Sequence, residues 1–92
     1  MGKEMIIISE RKVVDFSDYD GVVCGKELGR GAAWFVEVYK WSAGKHCYDE
    51  IAELSSEKDA KALTRAIGEA LAGGARRFDV EEWKTKYTTH GE

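Results

Sequence analysis

The stretch AWFVEVYKW at residues 33–41 decides the fold, because no other segment is so dense in aromatic and β-branched residues. Such residues at a period of two favour a strand. Side chains alternate along a strand, so this segment has two different faces. The even face carries Trp34, Val36 and Val38. The odd face carries Phe35, Glu37, Tyr39 and Trp41. We predict a central strand whose even face lies in the core and whose odd face is available to a partner.

Composition limits the class of protein. The chain has 92 residues, 43% of them apolar, with no proline and a net charge of −3. This predicts one domain spanning residues 1–92, and the weak charge neither requires nor forbids nucleic acid. Cys24 and Cys47 are too few for a secreted disulfide framework, and the longest early apolar run, Met5 to Ile8, is too short for a membrane span. We expect a soluble, cytoplasmic protein with reduced thiols.

The segments around the central strand indicate further strands. Residues 5–16 are interpreted as one long bent strand, although residues 10–12 could instead form a turn between two strands. The sequence from Ser17 to Gly21 has hairpin-turn chemistry and leads into a strand at Val22 to Cys24. A fourth strand is expected from His46 to Ala52.

The hydrophobic period then changes from two to 3.6. Ser56, followed by Asp59, has the pattern of a capping box, and the helix is predicted from Glu57 to Ala72, before Gly73-Gly74. Its apolar stripe consists of Ala60, Leu63, Ile67, Ala70 and Leu71. A short helix from Val80 to Tyr87 follows, capped by Asp79, with Phe78 and Trp83 as a hydrophobic staple.

These elements predict an α+β fold: a four-stranded, mostly antiparallel sheet in sequential order with one long helix on one face and a short C-terminal helix. The long helix should cover the even face of the central strand. The C-terminal helix, through Phe78, Trp83 and Tyr87, could cover the odd face.

Specific chemical sites are weakly indicated. Asp18, Asp20, Gly21 and Glu27 match part of a calcium loop, but Phe16 stands where the first carboxylate belongs. Metal ligation by Cys24, His46, Cys47 and His90 lacks a Cys-x-x-Cys pair, and neighbouring strand residues point to opposite faces. No nucleophile motif accompanies the two histidines. We therefore predict no metal, no cofactor and no enzymatic activity.

Two binding functions remain. The odd face could stack the bases of single-stranded nucleic acid, with phosphates held by basic residues such as Lys26, Arg30, Lys40 and Lys45. Glu37 among the aromatic residues disfavours that alternative. An aromatic face edged by charges is typical of an interface with another protein or with a second copy in a homodimer. The predicted partner-binding residues are Phe35, Glu37, Tyr39, Trp41, Arg30, Lys40, Asp18 and Asp20.

The run from Trp34 to Tyr39, with the later Ser55-Ser56-Glu57-Lys58-Asp59 and its helix to Leu63, resembles the strand, hairpin and capped helix of small phage-encoded proteins, including anti-CRISPR inhibitors. The resemblance covers about half the chain and is one of architecture. It implies a small non-enzymatic inhibitor that sterically blocks a host protein or ribonucleoprotein complex of CRISPR–Cas type, in the cytoplasm of the host cell.

Overall fold

The computed structural model describes residues 4–10, 12–26, 31 and 33–90, with side chains as far as Tyr87. Its elements in chain order are β1 (Ile6–Ile8), β2 (Val13–Asp15), a 3-10 turn (Phe16–Asp18), β3 (Gly21–Lys26), β4 (Trp34–Ser42), β5 (Lys45–Leu54), α1 (Glu57–Ala72), β6 (Arg77–Asp79) and α2 (Val80–His90). The fold is α+β, as predicted. The prediction of a single four-stranded sheet was wrong, because the described strands form two three-stranded sheets.

The larger sheet has the order β3-β4-β5 and is antiparallel throughout. The aromatic stretch at residues 33–41 supplies its central strand, β4, which confirms that prediction. A two-residue turn joins β4 to β5, with Ala43 at φ 55° and Gly44 at φ 81°. A turn with positive φ at both central residues matches the twist of paired strands and keeps the hairpin tight.

Helix α1 begins and ends at the predicted residues, Glu57 and Ala72. The Ser56 side chain accepts a hydrogen bond of 3.2 Å from the Asp59 amide, as an N-cap does. Leu63 and Ile67 are fully buried against the inner face of the sheet, where Val36 is also fully buried. The predicted apolar stripe and the even face of β4 therefore form the core together.

Residues 5–16 do not form one bent strand. β1 and β2 are separate antiparallel strands, with Ile7 opposite Val14. The Ser9 amide donates to the Lys12 carbonyl at 2.9 Å, and the Lys12 amide donates to Ser9 Oγ at 3.3 Å. These hydrogen bonds join Ser9 to Lys12 between two separate strands, in agreement with the second alternative, a turn between two strands.

The segment from Ser17 to Gly21 is not a hairpin turn, because β2 and β3 belong to different sheets. Asp15 Oδ1 accepts from the amide and the hydroxyl of Ser17 at 3.0 and 2.7 Å, which folds the chain into the 3-10 turn. Phe16, only 2% exposed, is driven into the core by this turn. The segment is therefore the connection between the two sheets.

Strand β6 was missed. It pairs in parallel with β1, Phe78 lying opposite Ile7, so the smaller sheet has the order β2-β1-β6. Helix α2 follows at once and runs to His90, three residues beyond the predicted end. Asp79 Oδ1 accepts from the Glu82 amide at 3.0 Å, which confirms Asp79 as the cap.

None of the helices in the described part of the chain has the length and apolar character needed to cross a bilayer.

Candidate protein-binding surface

Four aromatic side chains meet on the outer face of the larger sheet, the face turned away from α1. We call Tyr39, Trp41, His46 and Tyr48 the aromatic cluster. The His46 ring is central: its centroid lies 5.0 Å from that of Trp41, 5.5 Å from that of Tyr39 and 6.1 Å from that of Tyr48. The contacts to Trp41 and Tyr39 are edge to face, an arrangement that aromatic pairs favour.

The β4–β5 register creates this cluster. Tyr39 lies opposite Tyr48, and Trp41 lies opposite His46. Directly opposed side chains on one face of an antiparallel pair stand close enough to pack. Tyr39 and Trp41 were predicted from the sequence, whereas His46 and Tyr48 were not, although alternation along β5 puts these two residues on one face.

The aromatic cluster is open to solvent. Trp41 is 60% exposed and Tyr48 is 53% exposed, and His46 is also exposed. Large apolar side chains rarely remain so exposed together on one surface of a soluble domain unless that surface binds something. The position of the cluster at the tip of a tight hairpin makes it accessible to a large partner.

The absence of a side chain at Gly21 makes room for the ring of Tyr39. The two residues are opposite each other in the β3–β4 register. A Cβ atom on Gly21 would lie 2.6 Å from Tyr39 Oη and 2.8 Å from two carbons of its ring. The end of the tyrosine side chain therefore occupies the space that a side chain at position 21 would need.

Asp20 fixes the backbone beneath the cluster. Its Oδ2 accepts from the Trp41 amide at 2.8 Å, and its own amide donates to the Tyr39 carbonyl at 2.7 Å. Asp20 thus holds two members of the aromatic cluster by their main chain. Asp18, in contrast, lies in the 3-10 turn of the connecting segment.

Carboxylates continue the outer face beyond the rings. Glu37 is opposite Glu50 in the β4–β5 register, and Glu53 is opposite Phe35. Among the described residues of β3, β4 and β5 whose register places them on this face, none is lysine or arginine. Along the described part of this face, the aromatic rings at the hairpin tip are therefore followed by three glutamates.

Three other predicted residues do not join this surface. Phe35 is 3% exposed and is a buried residue rather than an open contact. Lys40 lies on the inner side, with its Nζ 5.4 Å from the centroid of the Tyr19 ring. Arg30 lies outside the described residues. The candidate surface is consequently shifted from the middle of β4 toward the β4–β5 hairpin.

Helix α2 does not cover the aromatic cluster. Phe78 and Trp83 pack against the main core. Burial and a hydrogen bond with Asp59 raise the pKa of Tyr87, so the end of α2 lies beside the first turn of α1. Since α1 packs on the inner face of the larger sheet, the C-terminal segment lies on that side too.

Tyr19 anchors the connecting segment to the inner face of the larger sheet. Its Oη donates to Asp49 Oδ2 at 2.5 Å, and Lys12 Nζ lies 3.9 Å from Asp49 Oδ1. The hydrogen bond to Asp49 is the main cause that raises the pKa of Tyr19 to about 12, followed by burial. This contact ties the connecting segment to β5.

Cys24, His46 and Cys47, the residues considered for metal binding whose side chains are described, do not assemble into a metal site. The part of the chain that the structure describes contains no group of three or more side chains suited to holding a metal ion. Cys24 and Cys47 are free thiols. The side chain of His90 lies outside the described residues.

Comparison with known proteins finds no match among family models, curated proteins or solved structures.

Proposed function

We propose that the protein is a non-catalytic protein-binding module that acts by occluding a surface of its partner. The observation that supports this proposal is the aromatic cluster: four rings held in contact on the outer face of a sheet, with Trp41 60% and Tyr48 53% exposed. Tryptophan and tyrosine are the residues most often found as energetic anchors at protein interfaces.

The cluster is suited to this role because its geometry exists before binding. The tight β4–β5 turn and the Asp20 hydrogen bonds hold the backbone, and the rings brace one another. A surface that is already ordered loses little conformational entropy on binding. The rings can therefore contribute most of their burial energy to the complex.

The resemblance to anti-CRISPR proteins suggests the class of partner. In that form of the proposal, the hairpin tip inserts into a host defence complex of CRISPR–Cas type and blocks it sterically. The small size of the chain and its single exposed aromatic surface among the described residues agree with an inhibitor that works by occupancy. Its action requires no chemical step.

Single-stranded nucleic acid is the alternative, since exposed rings on a sheet can stack bases. Against it, the outer face carries the exposed carboxylate of Glu53, which repels phosphates, and no lysine or arginine among its described residues. Salt separates the two functions. Contacts with phosphates weaken steeply as the salt concentration rises, whereas an aromatic protein interface is far less sensitive.

Site-specific photo-cross-linking in the native host tests the proposal. A photoreactive amino acid replaces Tyr48, and a matched variant carries it at Val13, which is 63% exposed on β2. We expect position 48 to cross-link to one protein that position 13 does not reach. Cross-links to nucleic acid from position 48 would support the alternative, and equal products from both positions would contradict a specific surface.

A further inference from the structure

A second surface lies at the free edge of β5. It is an open groove of about 510 Å³, lined in the described part of the chain mainly by residues 50–55, by Glu10 and by Glu81 and Lys84 of α2. This volume lies within the range of about 300 to 1,000 Å³ that is common for ligand-binding pockets. The groove is distinct from the aromatic cluster, since no ring of that cluster lines it.

The edge of β5 can accept another strand. β5 is the last strand of the β3-β4-β5 sheet and runs for ten residues, Lys45–Leu54, with no further strand paired to it among the described residues. An edge strand presents alternate amide and carbonyl groups, which an extended peptide can bind by adding itself to the sheet. The groove runs along the part of this edge from Glu50 to Leu54.

The side chains around the groove select for positive charge. Among the described residues that line it are four glutamates, Glu10, Glu50, Glu53 and Glu81, and one lysine, Lys84, whose Nζ lies 3.8 Å from the Glu81 carboxylate. Glu10 and Glu53 are exposed and carry the charge argument. Beneath them Ile51, Ala52 and Leu54 are each less than one-tenth exposed and form an apolar floor. An extended segment that alternates basic and apolar side chains complements both features.

The same charges disfavour other occupants. Antiparallel pairing of β5 with a second copy over residues 50–54 would bring the exposed carboxylates of Glu53 from both copies close together on one face of the joined sheet, and like charges close together across strands are destabilising. Phosphates would meet the same repulsion. We propose that this groove binds an extended, lysine- or arginine-bearing segment of a partner protein, which adds a fourth strand to the β3-β4-β5 sheet. The inference goes beyond the aromatic cluster and does not depend on it.

The probe is a short labelled peptide in which lysine and valine alternate. Two control peptides are used: one replaces lysine by glutamate, and one keeps the lysines but carries N-methyl groups on alternate amides, which prevents strand pairing. Amide chemical shifts of the full chain are followed by NMR during titration, and affinities are measured by fluorescence polarisation.

We expect saturable shifts in β5 and in the first turns of α2 with the lysine peptide only. Charge reversal by Glu10→Lys with Glu53→Lys should weaken binding by about tenfold or more. Glu69→Lys, an exposed reversal on α1 away from the groove, should leave affinity unchanged. Trp41→Ala should also leave it unchanged, which separates this inference from the proposed function.

Three results would overturn the inference. These are equal affinity for the N-methylated peptide, an undiminished affinity in the double reversal, or shifts confined to the aromatic cluster.

Discussion

The indole of Trp41 lies 5.0 Å from the imidazole of His46, edge to face at 80°, across the β4–β5 hairpin. Trp41 continues the outer face of the central strand, and His46 is the first aromatic residue of the returning strand. Their contact links the two strands at the hairpin tip, where the exposed rings of Trp41 and Tyr48 flank His46. The rings are therefore a single surface rather than separate exposed residues.

The turn that supports this contact contains a strained residue. Ala43 has φ 55°, a conformation that is costly for a residue with a Cβ atom but well tolerated by asparagine. Ala43→Asn should raise the free energy of unfolding by about 0.5 to 1 kcal/mol. Gly44→Ala, at φ 81°, should lower it by at least about 1 kcal/mol. Urea denaturation of the two variants checks the prediction, and stabilisation by Gly44→Ala would contradict the turn geometry.

Gly21 allows a test of the cluster that removes no ring. Gly21→Ala should displace the Tyr39 side chain, since the new Cβ atom would lie under 3.0 Å from the ring. We expect altered ring-current shifts at His46 and weaker partner binding by about 1 kcal/mol, with the fold retained. Gly25→Ala is the matched control, because nothing lies within 4 Å of a Cβ atom there. Unchanged His46 resonances in Gly21→Ala would contradict the close contact between the Tyr39 ring and Gly21.

Tyr19 makes part of the stability dependent on pH. Its pKa is raised to about 12 in the folded protein, from an ordinary value of 10.0, mainly by the hydrogen bond to Asp49. A group that holds its proton more tightly when folded stabilises the protein fully below its unfolded pKa, and loses that effect as the pH rises through its folded pKa. The stability difference between the wild type and Tyr19→Phe should therefore narrow from about pH 10 to about pH 12.

Denaturant unfolding across that range, on both proteins, measures the difference. Lysines and the other tyrosines titrate there as well, but they are common to the two proteins and cancel in the comparison. A difference that stays constant to pH 12 would show that the Tyr19 hydroxyl does not donate to Asp49 as described.

The core prediction concerns α1. Leu63 and Ile67 are fully buried beneath the larger sheet. Leu63→Ala or Ile67→Ala should reduce the free energy of unfolding by about 2 to 5 kcal/mol, through lost burial and an incompletely closed cavity. Arg65→Ala, on the exposed side of the same helix, should change it by less than about 0.5 kcal/mol. Thermal and urea denaturation provide the values, and near-native stability of both core variants would contradict the packing.

Local signals were sufficient to predict the long elements. The α1 bounds follow from Ser56, the apolar stripe and Gly73-Gly74, and β4 follows from its alternation. Both signals lie within the element itself, so no knowledge of distant contacts is needed.

The features that could not be predicted from the sequence depend on contacts between residues that are distant along the chain. Three-residue β6 is a strand because it lies beside β1, some seventy residues earlier in the chain. Asp20-Gly21 has turn chemistry, yet Asp20 binds the Trp41 backbone and Gly21 accommodates the Tyr39 ring. His46 and Tyr48 belong to the candidate surface because of the β4–β5 register, which cannot be read from the sequence. Phe35 was predicted to be part of the surface but is buried.

The most direct test of the binding surface is the dissociation constant for the cross-linked partner, measured for the wild type, Trp41→Ala, Tyr48→Ala and the control Val13→Ala. We predict that the Trp41 and Tyr48 variants stay folded and each lose about 1 to 3 kcal/mol of binding free energy, while the control binds like the wild type. Equal affinity in all four folded proteins would contradict the claim that the aromatic cluster is the binding surface.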